Sequence, residues 1–134
     1  MSGITLHLQD AMHSETIEQV TSFVGEDASG SFGLLAGHER FMTSLVFGLA
    51  RFRVQGGTWE YLALPGALLY FVDDHLYLNT RRLLRDSDFE RITAALEEQL
   101  LAEEHNLRGI KDRLHNMEQE MFKRLWRMER EPRP

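Results

Sequence analysis

Residues Gly30 to Gly48 read G-S-F-G-L-L-A-G-H-E-R-F-M-T-S-L-V-F-G, and the reading of this stretch decides the fold. Gly30, Gly33, Gly37 and Gly48 divide it into short apolar runs. Glycine weakens helices and supplies the backbone freedom that turns and bulges need, so this spacing predicts compact β structure. The flanks agree. Upstream, Ile4, Leu6 and Leu8 alternate with Thr5, His7 and Gln9. Val20, Ser22 and Val24 then alternate with Thr21 and Phe23. Both show the period-2 mark of half-buried strands. Downstream, Leu49 to Val54 and Trp59 to Leu64 read as strands joined by a two-residue turn at Gly56-Gly57. Pro65-Gly66 ends the second, and Ala67 to Val72 is apolar throughout, as a strand covered on both faces would be. Leu76-Tyr77-Leu78 follows an Asp73-Asp74-His75 turn as the last strand before Arg81. Short strands at intervals of about ten residues predict an antiparallel β-sandwich or barrel over residues 1–85.

The texture changes near Asp86. Beyond it the only glycine is Gly109, and the first proline is Pro132. Ser87-Asp88-Phe89-Glu90 has the form of a capping box, with Ser87 as the N-cap and Glu90 reaching back to it. Phe89, Ile92, Leu96 and Leu100 then recur at helical spacing, and Leu107, Ile110, Leu114, Met117, Met121, Leu125 and Met128 repeat the pattern. Between them, Glu103-Glu104-His105-Asn106 interrupts the apolar stripe, and Asn106 with Gly109 can supply a helix-ending conformation. This predicts a C-terminal α-helical hairpin over 86–134, with helices at about 87–105 and 109–130 folded back on each other. Acids dominate residues 86–104 and bases dominate 105–134, which favours that pairing. Each exposed pair contributes only some tenths of a kcal/mol, so the apolar stripe must provide most of the adhesion. The stripe nearly keeps its register across the break, so one continuous helix, roughly 65 Å long at about 1.5 Å per residue, is equally permitted.

Composition narrows the functional classes. A chain of 134 residues fits one domain, or one small domain with an appendage. It has no cysteine, which removes disulfides, thiolate metal sites and thiol catalysis together. A net charge of −6 argues against general affinity for nucleic acid or anionic lipid. No apolar run approaches the roughly 20 residues that span a bilayer, so direct membrane insertion is not expected. Met1 to Thr5 has no basic leader region, and the chain reads as cytosolic.

Candidate chemistry is sparse. His38 precedes Glu39, yet no nucleophile lies near it in a recognisable context, and it reads as a turn histidine bonding local backbone. His7, His13, His38, His75, His105 and His115 contain no i,i+4 pair that would hold zinc on a helix. Asp73-Asp74 reads as a solvated turn without the pattern of a calcium loop. No phosphate-binding glycine motif occurs, so neither a cofactor nor a metal is expected. Lys111, Arg113, Lys123, Arg124 and Arg127 make the distal helix basic, which suits either a solvated face or an acidic partner surface.

The glycine stretch also resembles the G-x-x-G-I-x-P-G-H-x-x-L-x-T-x-x-x-x-G signature of the epsilon subunit of rotary F-type ATP synthases. Gly30, Gly33, Gly37, His38, Thr43 and Gly48 fall in register with it, while Leu34, Ala36 and Glu39-Arg40 depart from it. The resemblance implies a non-catalytic central-stalk subunit of the F1 sector, peripheral on the cytoplasmic face of a bacterial inner membrane. Its partners would be the gamma subunit, the c-ring and the catalytic beta subunits. The implied docking residues are Ser29, Gly30, Ser31 and Phe32, in the loop facing the c-ring, with His38, Glu39 and Arg40. The basic helix would meet an acidic segment of the catalytic subunit and block hydrolysis. In some bacterial members ATP binds at a D-x-x-R element that Asp88 and Arg91 match, with Ser87 and Ile92 departing at its flanks. Without nucleotide, the same two residues read as an i,i+3 ion pair beside the helix start. The altered loops and the Phe122-Lys123-Arg124-Leu125-Trp126 tail suggest a divergent form of the complex. The rival reading is a small ligand- or carbohydrate-binding module with a helical interaction tail, for which Trp59, Tyr61, Tyr70 and Tyr77 would have to form an exposed row.

Overall fold

The computed structural model describes residues 3–130, with the side chains of residues 128–130 excepted. Nine strands run in order: β1 (Ile4–Gln9), β2 (Ser14–Asp27), β3 (Gly30–Leu34), β4 (Phe41–Leu45), β5 (Gly48–Val54), β6 (Trp59–Leu64), β7 (Ala67–Val72), β8 (His75–Asn79) and β9 (Leu84–Asp86). Helix α1 (Phe89–Ala95), a π-helical turn (Leu96–Leu101) and helix α2 (Ala102–Arg130) follow. β4, β7 and β8 make one antiparallel leaf, which β1 joins by parallel pairing with β8. β2, β5, β6 and β9 make the other, with β3 hairpinned onto the second half of β2. β1 also pairs with the first half of β2, and β2 meets β4 at Asp27 and Leu45, so the ladder β1–β8–β7–β4–β2–β1 closes on itself.

The long strand β2 serves both leaves because its register slips twice. Against β1 the pairing skips between Ile17 and Val20, where Gln19 takes a φ of 60°. Against β5 it slips again between Val20 and Ser22. Each bulge bends the strand and changes which face its side chains meet. Val20 and Phe23 are therefore both buried, whereas simple alternation placed them on opposite faces. With Ile4, Leu6, Leu8, Phe52, Leu62, Leu64, Leu69, Phe71, Leu76 and Leu78 they form the core between the leaves. Each such side chain contributes about 1.5–3 kcal/mol relative to leaving it in water.

A second, smaller cluster lies outside β6. Ala63 meets Ile92 and Leu100, ringed by Phe47, Leu49, Tyr61, Leu84 and Leu96. This cluster makes β6 the strand covered on both faces, since Leu62, Ala63 and Leu64 are all buried. β7, expected in that role, alternates instead: Leu69 and Phe71 face the core while Leu68 is exposed. The β5–β6 connection is four residues, Gln55–Thr58, rather than a two-residue turn, because Arg53 and Trp59 are the last pair of the ladder.

The helical region departs most from expectation. The N-cap of α1 is Asp88, whose side chain accepts from the N–H groups of Glu90 and Arg91 at 2.9 and 3.1 Å. Asp86 accepts the Asp88 N–H at 2.9 Å, which holds the chain in a turn through Ser87 and moves the helix start one residue on. The turn predicted at Asn106–Gly109 is absent, and α2 runs through it unbroken. Gly109 is not among the glycines with positive φ. A glycine inside a helix costs only about 1 kcal/mol, and the flanking residues are good helix formers. The hairpin of helices at 87–105 and 109–130 is thus replaced by a short docked segment and one long helix. Residues up to Leu101 form one compact unit and α2 begins a second, so the boundary lies beyond the expected 85/86. The cause is the packing of α1 and the π-helical turn on β6 and β9.

Candidate docking surfaces

The glycine stretch becomes β3, a loop, β4 and the turn into β5. At its start Asp27 accepts from the N–H of Ser29 at 2.9 Å, from the Ser29 hydroxyl, and from Thr43 Oγ1 at 2.8 Å. These bonds, Ser29 first and Thr43 next, lock the β2–β3 turn onto β4 and hold the Asp27 carboxyl below its ordinary range. At the other end Gly37 takes a φ of 86°, a left-handed conformation that side chains resist. Its N–H donates to Asp74 Oδ1 at 2.6 Å, so Asp74, in the turn expected at 73–74, also anchors the loop. His38 Nδ1 donates to the Glu39 carbonyl at 2.7 Å, and its ring lies edge-on to Phe41 and Phe71, each with centroids 5.8 Å away. His38 is a turn histidine bonding local backbone.

The docking residues expected from sequence fall into two groups. Ser29, Gly30 and Ser31 sit at the β2–β3 turn, while His38, Glu39 and Arg40 sit at the opposite end of β3. The remaining three residues of β3, 32–34, span roughly 10 Å between them. Phe32 packs against the core and meets Phe41 edge-on at 5.3 Å, so the two groups are linked through aromatic rings rather than merged.

Sequence reasoning missed the outer face of the first leaf. Register places Met42 opposite Tyr70, Tyr70 opposite Tyr77, and Tyr77 opposite His7. The Tyr77 and His7 rings stack at 4.5 Å, and Tyr70 stacks on Tyr77 at 6.2 Å. His7 Nε2 lies 3.0 Å from His75 Nδ1, and burial followed by the His75 ring holds its pKa below the ordinary imidazole value. Beside this ladder Met42 is 62% exposed and Leu68 50%. The signal was present in the alternation of β7 and β8, where Leu68 and Tyr70 oppose Leu69 and Phe71. The apolar continuity of Ala67 to Val72 hid it.

Asp88 and Arg91 do not pair as expected. Asp88 caps α1, and Arg91 forms two hydrogen bonds with Asp86, both at 3.0 Å. The Arg91 side-chain bonds, first among the causes, lower the Asp86 pKa. On α2, a helical wheel gathers Arg113, Lys123, Arg124 and Arg127 within an arc of about 100°, while Lys111 lies on the far flank of the apolar stripe.

A family model for the ATP synthase Delta/Epsilon chain beta-sandwich domain matches residues 5–85, from β1 into β9. The chain belongs to this family. The ATP synthase epsilon chain 2 of Cereibacter sphaeroides is 35% identical over 102 residues, covering 73% of this chain and 70% of that one. Among solved structures, a chain of the Euglena gracilis mitochondrial ATP synthase shares the fold with a TM-score of 0.59 and 24% identity. It is matched over 73% of this chain and 64% of its own length, so this chain spans under two-thirds of it. A chain of the Tetrahymena thermophila mitochondrial ATP synthase central stalk/c-ring structure gives a TM-score of 0.53 and 11% identity over 60% of this chain and 65% of that one.

For a delta/epsilon chain, the matched region ends just before the helices. The aromatic residues of the rival carbohydrate reading do not form one row. Tyr70 and Tyr77 lie on the outer face of the first leaf. Trp59 lies on the second leaf with the guanidiniums of Arg51 and Arg53 over its ring, at 4.5 and 4.9 Å, and Tyr61 meets Phe89. Among the described residues, no three His, Asp or Glu side chains are grouped to hold a metal ion, and no helix is long and apolar enough to cross a membrane.

Proposed function

We propose that this chain is a non-catalytic epsilon subunit in the central stalk of a rotary F-type ATP synthase or ATPase, peripheral on the cytoplasmic face of a bacterial inner membrane. The observation that carries the reading is the exposed apolar face of β4 and β7, next to the family's glycine signature. Met42 and Leu68 stand in water there beside a stacked Tyr70–Tyr77–His7 ladder. A flat apolar face with an aromatic border suits a permanent protein contact better than a ligand pocket. In this reading it grips the gamma subunit, with His38, Glu39 and Arg40 at its rim. The turn of Ser29, Gly30, Ser31 and Phe32 meets the c-ring. The basic side of α2 (Arg113, Lys123, Arg124 and Arg127) turns toward an acidic segment of the beta subunits, where charge complementarity fixes register. Asp88 and Arg91 have no part in it, since both are engaged within the protein.

Co-expression with the cognate gamma subunit tests the reading. The unaltered chain should co-purify with gamma, and M42E/L68E should not, while keeping its thermal transition. Hydrolysis by the assembled complex should rise when residues 102–134 are removed. Retention of gamma by M42E/L68E would remove this face from the stalk contact.

A further inference from the structure

The apolar stripe of α2 is exposed from Leu107 to Leu125. Leu107, Ile110, Leu114, Met117, Met121 and Leu125 are between 37% and 62% exposed, and they fall within an arc of about 80°. Leu107, Ile110, Leu114, Met117 and Met121 follow the alternating three–four spacing of a coiled-coil seam. In that frame Lys111 and Glu118 lie on one flank of the seam, and Arg113 and Glu120 on the other.

We propose that α2 pairs with the α2 of a second copy of this chain as an antiparallel coiled coil, centred between His115 and Asn116. Antiparallel helices bring like flanks together. Lys111 then meets Glu118 of the second copy, and Arg113 meets Glu120 of the second copy. Symmetry repeats both pairs, giving four opposite-charge pairs and no like-charge pair on these flanks. In the seam, Leu114 packs on Met117 of the second copy and Ile110 on its Met121. Orientation is decided by Arg124, which takes the next seam position. A parallel pair would stack its guanidinium against its own copy inside the interface, a like-charge contact in low dielectric. The antiparallel pair places it against Leu107 of the second copy, one layer from that copy's Glu103. A parallel pair would also keep only the Arg113–Glu118 contacts. The assignment concerns the free chain and does not depend on the stalk reading.

Sedimentation equilibrium of the full-length chain tests it. The unaltered chain should show a monomer–dimer equilibrium at micromolar concentrations. The exposed charge reversals E118K/E120K and K111E/R113E should each weaken it about a hundredfold, since four attractive pairs become repulsive. An equimolar mixture of the two variants should restore dimer. The native chain lacks cysteine, so single substitutions report orientation cleanly. K111C mixed with E118C should form a mixed disulfide on mild oxidation, and R113C mixed with E118C should not. A monomer at every concentration, self-association indifferent to both reversals, or the opposite disulfide pattern would each overturn the proposal.

Discussion

Replacing Leu100 with alanine should release the helical segment without melting the sandwich beneath it. Leu100 is 0% exposed, and with Ile92 at 1% it is one of the two side chains of residues 89–101 buried outright. Their common partner is Ala63, inside a ring of half-buried side chains. The substitution removes about three methylene equivalents at roughly 0.8 kcal/mol each, and the cavity left behind brings the loss to about 3 kcal/mol. Polar contacts that hold the segment lie at exposed sites: Arg82 donates to Gln99 at 3.0 Å, and Arg91 pairs with Asp86. They contribute little in water. A loss of about 3 kcal/mol shifts the docked population by more than a hundredfold. Hydrogen exchange resolves this by segment. Amides of residues 92–101 should lose most of their protection in L100A, while those of β7 and β8, served by the other cluster, should keep theirs. If protection fell equally across both regions, the two clusters would be one cooperative unit and the division described above would be wrong.

Two further outcomes follow from single residues. Because α2 runs unbroken through Gly109, G109A should raise helicity by circular dichroism and stabilise the helix by about 1 kcal/mol; a left-handed turn at that position would make the same change destabilising. Hydrogen bonds depress the folded-state pKa of Asp27, so the β2–β3 turn should be fully stable above the ordinary aspartate range and lose that stability as pH falls through the lower folded value; the Ser29 amide resonance should report that midpoint, and D27N should abolish the dependence.

The strands of the sandwich were legible because burial on one face writes itself as alternation, and glycines mark where the chain must turn. What stayed hidden has local causes. β9 is three residues long and carries Arg85, whose guanidinium reaches Glu15 and Glu60 at 2.6 Å, so no apolar pattern announces it. The two slips in β2 sit at Gln19 and near Thr21, residues with no turn preference strong enough to signal a bulge. The hairpin expectation weighed Asn106 and Gly109 as terminators, but both are tolerated inside a long helix of good formers. Of the docking surfaces, the turn residues were visible through the family signature. The Met42–Leu68 face was not, since Leu68 looks the same in a sequence whether it faces in or out.

The closed ladder has a consequence for the protein before it meets any partner. Open sheets offer rows of unsatisfied N–H and C=O groups that template amyloid-like growth. Here the circuit of β1, β8, β7, β4 and β2 occupies many of those rows; β4 closes it onto β2 at a single residue pair, and the strands with an open edge, β3, β4 and β9, are only five, five and three residues long. A newly made copy can therefore wait in a crowded cell without recruiting neighbours strand by strand, even while a sticky side-chain face stands uncovered.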